Sequence, residues 1–69
     1  MLIRLEDHSL VDDLCAHYRR SGFHVESVGG GMIEVGRHDA PSPEHERHDV
    51  LMHLRVWEIG NLDARVEPL

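Results

Sequence analysis

A chain of 69 residues with a single cysteine, Cys15, reads as one domain spanning 1–69 that closes no disulfide within itself. Thirteen acidic residues against seven arginines and no lysine leave a formal charge of −6. That balance excludes a nonspecific grip on nucleic acid or on an anionic membrane, because such a grip requires positive charge from the protein.

No apolar run approaches the roughly 20 residues that cross a bilayer, and the opening MLIRLED lacks the long apolar centre of a signal peptide. The expectation is a soluble, cytoplasmic protein. At this length folding hides only about 60% of the chain's surface, so the core is thin and gains from a metal or a partner subunit. Seven histidines make the surface charge sensitive to mild acid: protonating all of them would carry the formal charge from −6 to +1.

LIRLE at residues 2–6 alternates Ile3 and Leu5 with Leu2, Arg4 and Glu6, the pattern of a strand with one apolar face. DHSLVDDLCAHYRRSG follows as a helix. Asp7 or Ser9 caps its start, Asp12 and Asp13 suit its N-terminal half, and Arg19 and Arg20 its end. Leu10, Val11, Leu14, Cys15 and Tyr18 recur at helical spacing as the buried stripe. Cys15 reads as a small core residue, and Gly22 supplies the left-handed stop.

FHVESV alternates Phe23 and Val25 against His24 and Glu26; GGG at 29–31 turns the chain; MIEV sets Ile33 and Val35 on one side. Two strands joined by a glycine loop predict a β-hairpin. A phosphate cradle would instead require a helix after the glycines, and a strand pattern follows. GRHDAPSP is a loop ending in a strong helix start, with Ser42 as N-cap, Pro43 at the first helical position and Glu44 behind it. The helix is expected to run to about Ile59, closed by Gly60 and Asn61. LDARVEPL completes the chain as a last strand, with Ala64 and Val66 on one side and Arg65 and Glu67 on the other.

Strand, helix, strand, strand, helix, strand is the βαββαβ order of an α+β ferredoxin-like plait: a four-stranded antiparallel sheet with two helices on one face and the first and third strands central. The free sheet face would carry Arg4, Glu6, His24, Glu26, Glu34, Arg65 and Glu67 with Leu2, Val28 and Met32. It holds no aromatic side chain on which a base could stack, which argues against RNA recognition. The loop after the first strand has no Cys-x-x-Cys pair for carrying metal, and no serine or cysteine nucleophile stands at recognisable spacing with a base. A small enzyme using His24 or His38 as general base ranks last.

The second helix is apolar on two sides. At about 100° per residue, Val50, Leu51, Leu54 and Trp57 form one stripe, and Met52, Val56 and Ile59 another nearly opposite. One layer of core covers only one of them. The second stripe therefore points to a homodimer or a protein partner, with Met52, Val56, Ile59 and Trp57 as candidate interface residues; for Trp57 a core position is the first reading and the interface the second.

His45, His48 and Asp49 share that outer side near the helix start. HERH differs from the zinc-protease H-E-x-x-H, because the residue four after His45 is Asp49. Two ligands per chain fall short of the four of a structural zinc site, so a partner chain or His38 would have to complete it, with His53 in reserve. The expected function is a non-catalytic interaction or regulatory module acting through the second helix. The alternative is a metal- or pH-responsive domain built on His45, His48 and Asp49, with zinc as the cofactor.

Overall fold

Alternation along the chain decides the sheet. In a computed structural model describing residues 1–69, β1 (Leu2–Leu5) buries Ile3 and Leu5 and turns Leu2 and Arg4 outward. The Asp7 carboxylate then accepts from the Ser9 N–H at 3.0 Å and from the Ser9 hydroxyl at 2.6 Å. These bonds, the side-chain one foremost, hold the Asp7 carboxyl below its usual range. They also close a tight 3₁₀ turn, His8–Leu10, so the helix expected from this point begins only at Val11.

Helix α1 (Val11–Arg20) buries Leu14, Cys15 and Tyr18 and ends where Gly22, at φ +86°, reverses the chain. The Gly22 and Phe23 N–H groups return to the Arg19 and Tyr18 carbonyls. Strands β2 (His24–Gly29) and β3 (Met32–Gly36) pair antiparallel as the expected hairpin, with Gly29, Gly30 and Gly31 all at positive φ and a bulge between Ser27 and Gly29. Phe23 is buried just ahead of β2.

Helix α2 (Pro43–Ile59) keeps the predicted bounds. The last strand does not. β4 covers only Val66–Pro68, because the Ala64 N–H folds back onto the Asn61 carbonyl at 2.9 Å and spends residues 61–64 on a turn.

The sheet order is β2-β3-β1-β4 with every neighbouring pair antiparallel, so β3 and β1 are central. This is an α+β architecture with a four-stranded antiparallel sheet and two helices. Along β4, the Arg65 carbonyl accepts from Glu6 N–H and Leu69 N–H donates to the Leu2 carbonyl. Pro68 stands opposite Ile3 between those bonded positions. Eleven buried side chains from β1, β3, both helices and Phe23 form one core cluster.

Three side-chain bonds tie the helices together. The Tyr18 hydroxyl donates to the Val50 carbonyl at 2.8 Å, the Trp57 indole N–H to Asp13 at 2.7 Å, and His17 Nε2–H to the His53 carbonyl at 2.9 Å. Burial, with the nearby Glu58 charge adding to it, pushes the Tyr18 phenol well above its ordinary pKa.

Candidate interaction surface

Local chemistry sets the reach of α2. The Ser42 hydroxyl accepts from the His45 N–H at 3.2 Å, Pro43 occupies the first turn, and Glu44 and Glu46 complement the positive end of the helix. At the other end the Asn61 side-chain amide donates to the Trp57 carbonyl at 2.9 Å. The Gly60 N–H reaches the same carbonyl at 3.1 Å and the Asn61 N–H the Glu58 carbonyl at 3.0 Å. Gly60 sits there at φ −85°, so the helix closes through these bonds without a left-handed glycine.

Between these caps the two stripes separate as the residue spacing requires. Val50, Leu54 and Trp57 are buried, whereas Met52, Val56 and Ile59 are 50%, 60% and 73% exposed. Leu62, in the turn after the helix, is 86% exposed. Trp57 leaves the candidate interface set: its ring is 5% exposed in the core and its indole N–H is satisfied by Asp13. At about 100° per residue it lies about 140° around the helix from Met52 and about 160° from Ile59.

Beside the outer stripe runs an open groove of about 610 Å³ between α2 and β4, lined by Leu51, Leu54, Arg55, Glu58, Ile59, Val66 and Pro68. Ile59 belongs to both groove and stripe. The remaining exposed large apolar side chains, Leu2, Val28 and Leu69, belong to the sheet strands and the residue after β4, away from α2. A second open cleft, at the end of β1 and β4, carries Arg4, Arg65, Glu6 and Glu67, which already face one another as Arg4–Glu67 at 2.9 Å and Arg65–Glu6 at 4.0 Å.

The histidine-rich start of α2 is arranged differently from a ligand cluster. His45 Nδ1 sits 2.8 Å from the Ser42 hydroxyl, and the Asp49 carboxylate accepts from Arg37 at 3.2 Å. His48 is exposed, and His38 stacks on His24 with ring centroids 4.3 Å apart. No three His, Cys, Asp or Glu side chains are gathered as a metal-binding group, so His45, His48 and Asp49 are neighbours on one helix side without converging. His53 turns toward the α1 side, where Nδ1–H donates to the Asp49 carbonyl and the ring packs edge-on against Phe23.

The residue that organises this corner is Arg37, which no periodicity marks. Its guanidinium donates to Asp39 at 3.2 Å and Asp49 at 3.2 Å and lies 5.0 Å over the Phe23 ring, while its backbone N–H donates to Glu46 at 3.1 Å. The loop between β3 and α2 is thereby stapled to the helix start. The Arg37 hydrogen bond is the main reason the Asp39 carboxyl lies below its ordinary pKa. A carboxyl depressed in the folded state adds stability above its unfolded pKa and loses it as pH falls through the folded value. Arg37→Ala should therefore raise the Asp39 titration midpoint toward the ordinary carboxylate range, read by NMR pH titration. An unmoved midpoint would discard Arg37 as the cause.

No helix is long and apolar enough to cross a membrane. No protein-family model matches the chain, and comparisons with curated proteins and with solved structures find no match.

Proposed function

We propose that this chain is a ferredoxin-like plait that acts as a non-catalytic interaction module, associating with a second copy of itself through the outer side of α2. The strand order β2-β3-β1-β4, with each helix joining two strands that flank a third, supports the plait reading. The association rests on one observation above all: Met52, Val56 and Ile59 are at least half exposed on the side of α2 opposite buried Val50 and Trp57.

Magnitudes favour covering that stripe. Burying one such side chain completely is worth about 1.5–3 kcal/mol. With Met52, Val56 and Ile59 50%, 60% and 73% exposed, covering what remains of all three is worth roughly 3–5 kcal/mol before the cost of association. A core of eleven residues leaves little reserve, so a partner that covers the stripe stabilises each subunit. Closed two-fold dimers are the commonest way for one such patch to meet its own copy.

The test is size-exclusion chromatography with light scattering. Wild type is expected to run as a dimer, and Val56→Asp as a monomer with unchanged far-UV circular dichroism, since the new charge meets water in the isolated subunit and loses it only in the interface. A wild-type chain that stays monomeric at the highest attainable concentration would end this reading.

A further inference from the structure

The stripe that borders the groove has an order the apolar side chains alone do not reveal. Leu51, Arg55 and Glu58 follow one another at spacings of four and three residues on one face of α2, and Leu62 stands four residues further on, in the turn beyond Ile59. Leu51, Arg55 and Glu58 line the groove, and Leu62, in the turn after the helix, is 86% exposed. None of the chain's five ion pairs uses Arg55 or Glu58.

Read from either end, the stripe is apolar, charged, charged, apolar. The two charges are opposite. Such an arrangement is its own complement when turned end for end: a two-fold axis crossing α2 midway between Val56 and Trp57 sets two copies antiparallel. Arg55 of one then comes level with Glu58 of the other, and Leu51 with Leu62. A parallel arrangement would instead bring Arg55 to Arg55 and Glu58 to Glu58. Met52, Val56 and Ile59 form the adjacent stripe and are covered by the same contact.

On the strength of the self-association proposed above, we propose that a second copy of this chain docks over the α2–β4 groove about that two-fold axis, each Arg55 pairing with the partner's Glu58 and each Leu62 seating against the partner's Leu51. The apolar contacts supply most of the attraction. The crossed charges fix direction and register, because a like-charge meeting is what the wrong orientation would suffer.

Charge reversal tests this directly by sedimentation or light scattering. Arg55→Glu and Glu58→Arg, each alone, are expected to weaken self-association at least tenfold. An equimolar mixture of the two should recover a one-to-one heterodimer, and the double variant R55E/E58R should associate like wild type. Leu62→Asp, at a site with no role in the core, should weaken association as well; it keeps the test decisive if Glu58→Arg impairs folding. Single reversals that leave the dissociation constant unchanged in an associating wild type, or a mixture that fails to recover the dimer, would overturn this register and leave the α2 contact standing. A monomeric wild type would instead remove the α2 contact itself.

Discussion

Truncating Trp57 to alanine is expected to cost about 3–5 kcal/mol, the range for deleting a large buried aromatic. The indole is 5% exposed, packs in the core cluster and reaches across to Asp13 at 2.7 Å, so the change empties volume between the helices and removes one of their three side-chain links. A domain has about 5–15 kcal/mol of net stability in total, so the variant should lose a large part of it, visible as a sharp drop in the urea midpoint followed at 222 nm. Trp57→Phe retains most of the apolar contact and sacrifices chiefly the hydrogen bond, a loss of about 0.5–1.5 kcal/mol. The neighbouring Val56→Ala, on the exposed side, should shift the isolated subunit by no more than about 0.5 kcal/mol. A near-wild-type midpoint for Trp57→Ala would mean that this ring does not hold the two helices.

The glycine turn offers the second large effect and its own internal control. Gly30 and Gly31 both have positive φ, at +64° and +76°, a conformation that costs an L-residue about 1–2 kcal/mol. Their surroundings differ. A Cβ on Gly30 meets nothing within 4 Å, whereas one on Gly31 would lie 2.5 Å from the His8 ring and 2.6 Å from the Leu5 carbonyl oxygen. His8 can swing away, but the Leu5 oxygen belongs to a central strand whose own N–H is bonded to the Gly31 carbonyl. Gly31→Ala should therefore add about 1–3 kcal/mol of overpacking to the backbone strain, and Gly30→Ala should show the strain alone. Equal thermal midpoints for the two variants would contradict the close approach of the hairpin turn to β1.

Element order and most of the core were legible in the sequence because both follow from periodicity: Ile3 with Leu5, Ile33 with Val35, and Leu14 with Tyr18 declare their faces without reference to anything distant. The bounds of the second helix are legible since Ser42-Pro43 and Gly60-Asn61 are local signals, and Gly60 and Asn61 do close it, through backbone bonds and the Asn61 amide. The first helix starts later than its cap signals predict because Asp7 and Ser9 satisfy each other in a turn that cap rules do not separate from a helix start. The last strand is shorter than the alternation of LDARVEPL predicts because the Ala64 N–H closes a turn on the Asn61 carbonyl. Asn61 and Asp63 are turn-favouring residues, a signal that the Ala64/Val66 alternation masks.

At the candidate surface, residue spacing separates Met52, Val56 and Ile59 from Val50 and Leu54, but it does not say that Trp57 finds its partner on the first helix. Nor does it foretell Arg37, whose partners Asp49, Glu46 and Phe23 are brought together only by the fold. The reciprocal stripe from Leu51 to Leu62 is present in the letters. It becomes recognisable once the groove shows which side of α2 is open.

The Ile3–Pro68 position has a consequence for how the protein behaves when crowded. The residues of β4 that face away from β1 are Val66 and Pro68, and Pro68 has no N–H to offer, so that border of the sheet presents an interrupted ladder. The opposite border, β2, is kinked by its bulge. A growing stack of chains needs unbroken rungs to template the next strand, and neither border supplies them, so concentrated solutions should resist fibril formation while side-chain assembly through α2 stays open.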